Sequence, residues 1–226
     1  MLEAAATRIE ALVEAEATVL QVGASAEAFA RADHVLDDQP HEPHGDARFT
    51  QATWTTRDVC GRAPWPYADR QFDFAVCVTL HRLRDPVGVC AELARVARAG
   101  YVELPVVEAE LSGGTGRWLC DVADAGLVFT AKPPLDARVR VPRRRIDDLP
   151  PEERVHALFW EDRLPARERL VDDLALNDEL AERVRERFDP SGAEVALTEA
   201  RRVGGLAGAA ALRSLDAIRA SRRSSR

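Results

Sequence analysis

Short apolar runs recur along the first half of the chain, and each ends in a small or polar residue. The runs are Val19-Leu20-Gln21-Val22 before Gly23, His34-Val35-Leu36 before Asp37 and Asp38, and Phe72-Asp73-Phe74-Ala75-Val76-Cys77-Val78 before Thr79. Tyr101-Val102-Glu103-Leu104 before Pro105 is the fourth. Runs this short and this apolar are strands buried on both faces. Thr53–Val59 is a further candidate strand, ending near Asp58. Between the runs lie stretches with helical spacing. Residues 1–17 place Ile9, Leu12 and Val13 on one face, and Pro86–Arg98 places Val89, Leu93 and Val96 on another, with Gly100 read as the stop signal. Strands alternating with helices predict an α/β fold built on a mainly parallel sheet.

The rest of the chain is read differently. Trp118–Val122 and Leu127–Thr130 flank Ala123-Asp124-Ala125-Gly126, which predicts a terminal antiparallel hairpin. From about residue 145 the composition turns strongly charged, and Pro150-Pro151 is expected to open a helix-rich C-terminal extension. The division expected is 1–145 for the α/β domain and 146–226 for that extension, with a short strand at Val195–Leu197 and a disordered tail from Ala220.

Composition limits the partners. The net charge of −7 argues against a nucleic-acid backbone as the main ligand. No apolar stretch approaches the roughly 20 residues of a membrane span, and the N-terminus lacks a signal-peptide pattern, so a cytoplasmic protein is expected. Cys60, Cys77, Cys90 and Cys120 share no metal-ligand spacing, sit among apolar neighbours and read as reduced thiols, with no metal site expected. Lys132 is the only lysine among 31 basic residues, which reads as GC-rich codon usage rather than chemistry. A homodimer through amphipathic helices in 150–220 is an open expectation.

Ligands of parallel sheets bind at the carboxyl ends of the strands, where the winding reverses. That singles out Gly23-Ala24-Ser25, where small residues let a ligand approach the backbone, and Asp37, whose carboxylate suits two ribose hydroxyls. Asp58 and Val59 could meet an adenine, and Val78, Thr79 and His81 would face a transferred group. Trp65 and Tyr67 are either stacking or packing residues. His156, Phe159 and Trp160 are placed on a C-terminal helix, either as core or as a cap over an apolar acceptor.

The segments Val19–Ser25, Ala30–Asp37, Asp58–Asp69, Gln71–Cys77, Leu83–Pro86, Glu92–Val96 and Gly100–Pro105 together resemble a class I S-adenosylmethionine (SAM)-dependent methyltransferase, more narrowly a small bacterial methyltransferase-domain group. Arg117-Trp118-Leu119, Leu127-Val128-Phe129 and Lys132-Pro133 echo the same group. The resemblance implies a seven-stranded Rossmann-like sheet with SAM as cofactor and a small-molecule acceptor, in secondary metabolism or glycan modification. It places Gly23, Ala24 and Ser25 by the methionine part, Asp37 on the ribose, Asp58 and Val59 at the adenine, and Val78 and Thr79 near the sulfonium. His81 would be the base that takes a proton from the acceptor. The chain departs from the family at Gly23-Ala24-Ser25-Ala26, which has fewer glycines, and at Val78-Thr79-Leu80-His81-Arg82, which lacks the glutamate of a His-x-Leu-Glu-His pattern. Those departures define the alternative, a degenerate methyltransferase fold that serves as a binding or scaffold partner.

Overall fold

A computed structural model of the chain describes residues 1–23, 28–41, 49, 50 and 53–188. The elements run α1 (Glu3–Leu12), β1 (Val19–Val22), β2 (His34–Asp37), β3 (Trp54–Thr56), β4 (Phe72–Cys77), α2 (Pro86–Val96), β5 (Ala97–Pro105), α3 (Val107–Leu111), β6 (Trp118–Ala123), β7 (Gly126–Ala131), α4 (Arg143–Asp147), β8 (Val155–Glu161), β9 (Ala166–Arg169) and α5 (Asp173–Phe188). The chain divides into two units, Met1–Ala181 and Glu182–Arg226. Of the second, only the last residues of α5 are described.

The main sheet has the order β3-β2-β1-β4-β5-β8. Its first five strands are parallel, and β8 returns antiparallel against β5. Alternation along the strands splits the core into two layers. Leu20, Val22, Ala75, Cys77, Val102 and Leu104 pack on the face covered by α2, while Val19, Phe74, Val76 and Tyr101 pack on the face covered by Ala5 and Ile9 of α1. The switch in winding falls between β1 and β4, which directs attention to their carboxyl ends.

Helix α2 is specified at its start. Asp85 Oδ1 accepts the Gly88 amide at 2.7 Å, and Pro86 occupies the first turn, where its missing N–H costs nothing. Its buried face is Val89, Cys90, Leu93 and Val96. Burying Leu93 alone is worth roughly 1.5–3 kcal/mol.

Several expectations are corrected. The sheet has six strands rather than seven, and the hairpin belongs to a second sheet of order β6-β7-β9. The hairpin itself forms as read, with Ala123 opposite Gly126 across a two-residue turn. Gly100 does not end a helix: α2 passes directly into β5 at Ala97, and Gly100 lies inside that strand. The region from Pro150 is not simply helix-rich, since it supplies β8 to the main sheet and β9 to the small one. Only α5 then remains, among described residues 150–188, of the helices invoked for a dimer. His156, Phe159 and Trp160 lie on β8, not on a helix. Phe159 packs on Tyr101 at 4.9 Å between ring centroids and under the Arg8 guanidinium at 4.3 Å, and Trp160 is buried opposite Gly100.

The four cysteines are free, three of them buried. No helix among the described residues is long and apolar enough to cross a membrane. Val195–Leu197 and the tail lie outside the described residues.

Candidate functional site

At the switch point, Gly23 follows β1 with φ +71°, the left-handed region that glycine adopts without strain. Its amide donates to Leu36 O at 2.9 Å, which locks the turn to the end of β2. A side chain at this position would collide with the Thr79 hydroxyl, so Gly23 and Thr79 touch across the ends of β1 and β4. Asp37 is the last residue of β2, only 4 % exposed, and its Oδ1 accepts the Gln39 amide at 2.7 Å. The pairing of Val22 with Leu36 sets Gly23 and Asp37 side by side. The structure therefore gathers Gly23, Asp37 and Thr79. Ala24 and Ser25 lie outside the described residues.

Asp58 and Val59 follow β3 and are otherwise engaged. Asp58 Oδ2 accepts Arg84 Nη2 at 2.5 Å, and its Oδ1 accepts the Cys60 amide at 3.0 Å. The Arg84 hydrogen bond, then the Cys60 amide, hold this carboxyl below its usual range. Val59 is buried, and its carbonyl accepts Trp65 Nε1 at 3.0 Å. Trp65 is core, while Tyr67 packs edge-on against Phe72 at 4.9 Å and donates its hydroxyl to Thr55 Oγ1 at 3.0 Å. The structure thus resolves both aromatics as packing residues.

A cavity of about 490 Å³ opens beyond β4, walled by the ends of β4 and β5, by α3 and the loop after it, by α4, and by the residues entering β8. Val78, His81, Glu103, Glu110, Ser112 and Arg154 are among its lining residues. Among the described residues no phenylalanine, tyrosine or tryptophan lines it, and neither does His156, so the cap expected from His156, Phe159 and Trp160 does not form here. His81 sits on a 3-10 turn, Leu80–Arg82, that extends β4, and its carbonyl accepts the Arg117 amide at 2.8 Å. Trp118 Nε1 donates to Leu83 O at 2.8 Å, so β6 pins this turn from outside.

Behind His81 lies a buried ion pair. Glu110, 2 % exposed, receives Lys132 Nζ on Oε2 at 3.0 Å. Lys132 also donates to Glu110 O at 3.2 Å and Gly114 O at 2.7 Å, giving the ammonium three acceptors for its three protons. The Gly116 amide adds a hydrogen bond to Glu110 Oε2 at 3.0 Å. Side chains at 114 or 116 would strike the carboxylate, so the loop Ser112-Gly113-Gly114-Thr115-Gly116 closes on it only because glycine stands there. Glu110 Oε1 is 3.9 Å from His81 Nε2.

His81 is 9 % exposed. Burial holds its pKa below the ordinary 6.5, with Glu110 opposing the shift and Arg82 and Lys132 adding to it. At neutral pH the ring is therefore an uncharged imidazole, able to accept a proton. Its Nδ1 and the Ser112 hydroxyl are buried, and neither has a hydrogen-bond partner among the described residues. Buried polar atoms without a partner are few in folded proteins, and these two belong to residues that line the cavity.

The sequence reading reached Val78 and His81 but missed Glu110, Ser112 and Lys132. Two signals stood in the sequence: the glycine-dense stretch 112–116, and a solitary lysine in a chain that otherwise uses arginine. That lysine forms one half of the buried pair.

No family model matches the chain, and no curated protein does. Solved structures do match, at low identity. The N-terminal domain of EvdMO1, crystallised with SAH and D-fucose, is 19% identical over 80% of this chain and 73% of its own, with a TM-score of 0.35. A SAM-dependent methyltransferase from Thermotoga maritima is 19% identical over 46% of this chain and 51% of its own, with a TM-score of 0.33. An S-adenosylmethionine-dependent methyltransferase from Mesorhizobium loti is 14% identical over 56% and 63%, also at 0.33. The chain spans 51% to 60% of the length of several such structures.

Proposed function

We propose that the chain is a SAM-dependent methyltransferase acting on a small polar acceptor. The carrying observation is the pairing of two adjoining features: Gly23 and Asp37 at the switch point of a β3-β2-β1-β4-β5 sheet, and the His81 cavity just beyond β4. A left-handed glycine beside a buried carboxylate fits the cofactor's methionine and ribose parts. The fit is poorer at the adenine end, where Asp58 is held by Arg84.

When bound, SAM supplies an electrophilic methyl group. In this reading Asp37 would accept the ribose hydroxyls and Gly23 would lie beside the methionine part; Ala24 and Ser25, grouped with Gly23 on the sequence, lie outside the described residues. Asp58 would meet the adenine only on releasing Arg84, and Val59, buried in the core, would sit behind that position. Val78 and Thr79 would lie near the sulfonium end, with Val78 also lining the cavity. His81 accepts the proton of the acceptor's hydroxyl or amine, a contribution of about 10²–10⁴ in rate. Ser112 Oγ offers the acceptor a hydrogen bond, and the cavity walls keep it aligned.

A second reading, a degenerate fold that binds a partner protein, is favoured by Thr79 filling the space beside Gly23 and by the Arg84–Asp58 pair. Calorimetric titration with SAM and with its demethylated product SAH separates the two. Micromolar binding that Asp37→Ala abolishes supports the enzyme; no heat from a folded chain sinks it and leaves the binding partner.

A further inference from the structure

The methyltransferase reading assigns the base but not what controls it. Three groups from distant parts of the chain meet beside the cavity: His81 after β4 and Glu110 in α3, which line it, and Lys132 after β7, which holds Glu110. We propose that Glu110 and Lys132, clasped by the Ser112–Gly116 loop, are positioning residues that act on His81 through the fixed charges they hold beside it at the cavity wall.

The geometry carries this. The carboxylate cannot swing toward solvent, because Lys132 Nζ and the Gly116 amide both hold Oε2. Its other oxygen is left facing His81 Nε2 at 3.9 Å, beyond a hydrogen bond but well within electrostatic reach. The lysine cannot leave either, since two carbonyls bind it as well. A fixed negative charge near the ring and a fixed positive charge behind it pull the imidazole's proton affinity in opposite directions. Burial and Arg82 act on the same ring, and Glu103 from β5, Arg143 and Asp147 from α4, and Arg154 before β8 surround the same cavity. Only Glu110 and Lys132 are locked together behind His81 by the loop.

The inference rests on His81 as the base of the proposed reaction, yet its test needs no cofactor. The histidine ring signals of the full chain are titrated by NMR, with His81→Asn assigning the resonance. His81 titrates below 6.5 in the unmutated chain, lower still in Glu110→Gln, and higher, by a smaller shift, in Lys132→Met. Lys132→Arg, which keeps the charge, leaves it near the unmutated value. Midpoints unmoved in both charge-removing variants, or moved in the same direction while near-UV circular dichroism stays native, overturn the proposal. A midpoint at or above 6.5 in the unmutated chain overturns it however the variants fold. Opposite shifts together with absent SAM binding would keep this inference and remove the methyltransferase reading. SAM binding with an unmoved His81 would do the reverse.

Discussion

Gly100 stands opposite Trp160 in the β5–β8 ladder, and the indole occupies the space a side chain at position 100 would need. The Ala75 carbonyl of β4 presses on the same spot from the other side. Gly100→Ala therefore forces the sheet or the indole to shift. The expected loss is about 1–3 kcal/mol, the usual range for overpacking a well-filled core. Urea unfolding followed by tryptophan fluorescence checks it, and a stability equal to the unmutated chain would show that the indole relocates freely.

Lys132→Met should be among the most damaging single changes, because it leaves the Glu110 carboxylate buried without its cation. Breaking one side of a buried pair costs about 3–5 kcal/mol, whereas replacing both sides with apolar groups is often close to neutral. The double change Glu110→Leu with Lys132→Met should accordingly recover much of the loss. Thermal melts of the two variants side by side decide it, and a double variant less stable than Lys132→Met contradicts this account.

Stability should fall as pH drops below 6.5. His81 has a folded-state pKa below its unfolded value, chiefly through burial, so the unfolded chain binds more protons in the window beneath 6.5. The contribution is present above 6.5 and is lost progressively as pH falls toward the depressed folded value. Denaturant midpoints measured across that window should slope upward with pH, and His81→Asn should flatten the slope. An unchanged slope would assign it to other groups.

Arg84→Ala should strengthen SAM binding, since it frees the Asp58 carboxylate that the proposed function places at the adenine. Both side chains are more than half exposed, so the gain should be a few-fold at most. Asp58→Ala should weaken binding in the same titration. Affinity that falls on Arg84→Ala would mean the pair braces the site instead of competing with the ligand.

What the sequence discloses here follows from where each residue gets its environment. The strand ends at Gly23, Asp37 and Thr79 were legible because strands buried on both faces leave continuous apolar runs, and the first polar residue after each run marks its carboxyl end. Strand β8 was not legible. It is an edge strand with mixed exposure, and β9 is Ala166-Arg167-Glu168-Arg169, whose charged residues hide any apolar alternation. Gly100 misled for a related reason. Glycine after a helix usually ends it, whereas this one serves a ring 60 residues away in the chain that local spacing cannot reveal. His81 was found as a strand-end residue. Glu110 and Lys132, 22 positions apart, acquire their meaning only once β7 and α3 are brought together.

The return of β8 onto β5 also decides what can be cut from this chain. The segment that begins after Pro150 carries both the strand that seals the open side of β5 and the residues, Arg154 and Val155, that form the far wall of the cavity. A fragment ending near residue 150 would not be a smaller version of the protein. It would be an unfinished sheet, with a long row of backbone donors and acceptors from Ala99 to Pro105 offered to any passing chain. The site and the protection against self-association are thus delivered by the same stretch of sequence, and neither can be inherited without the other.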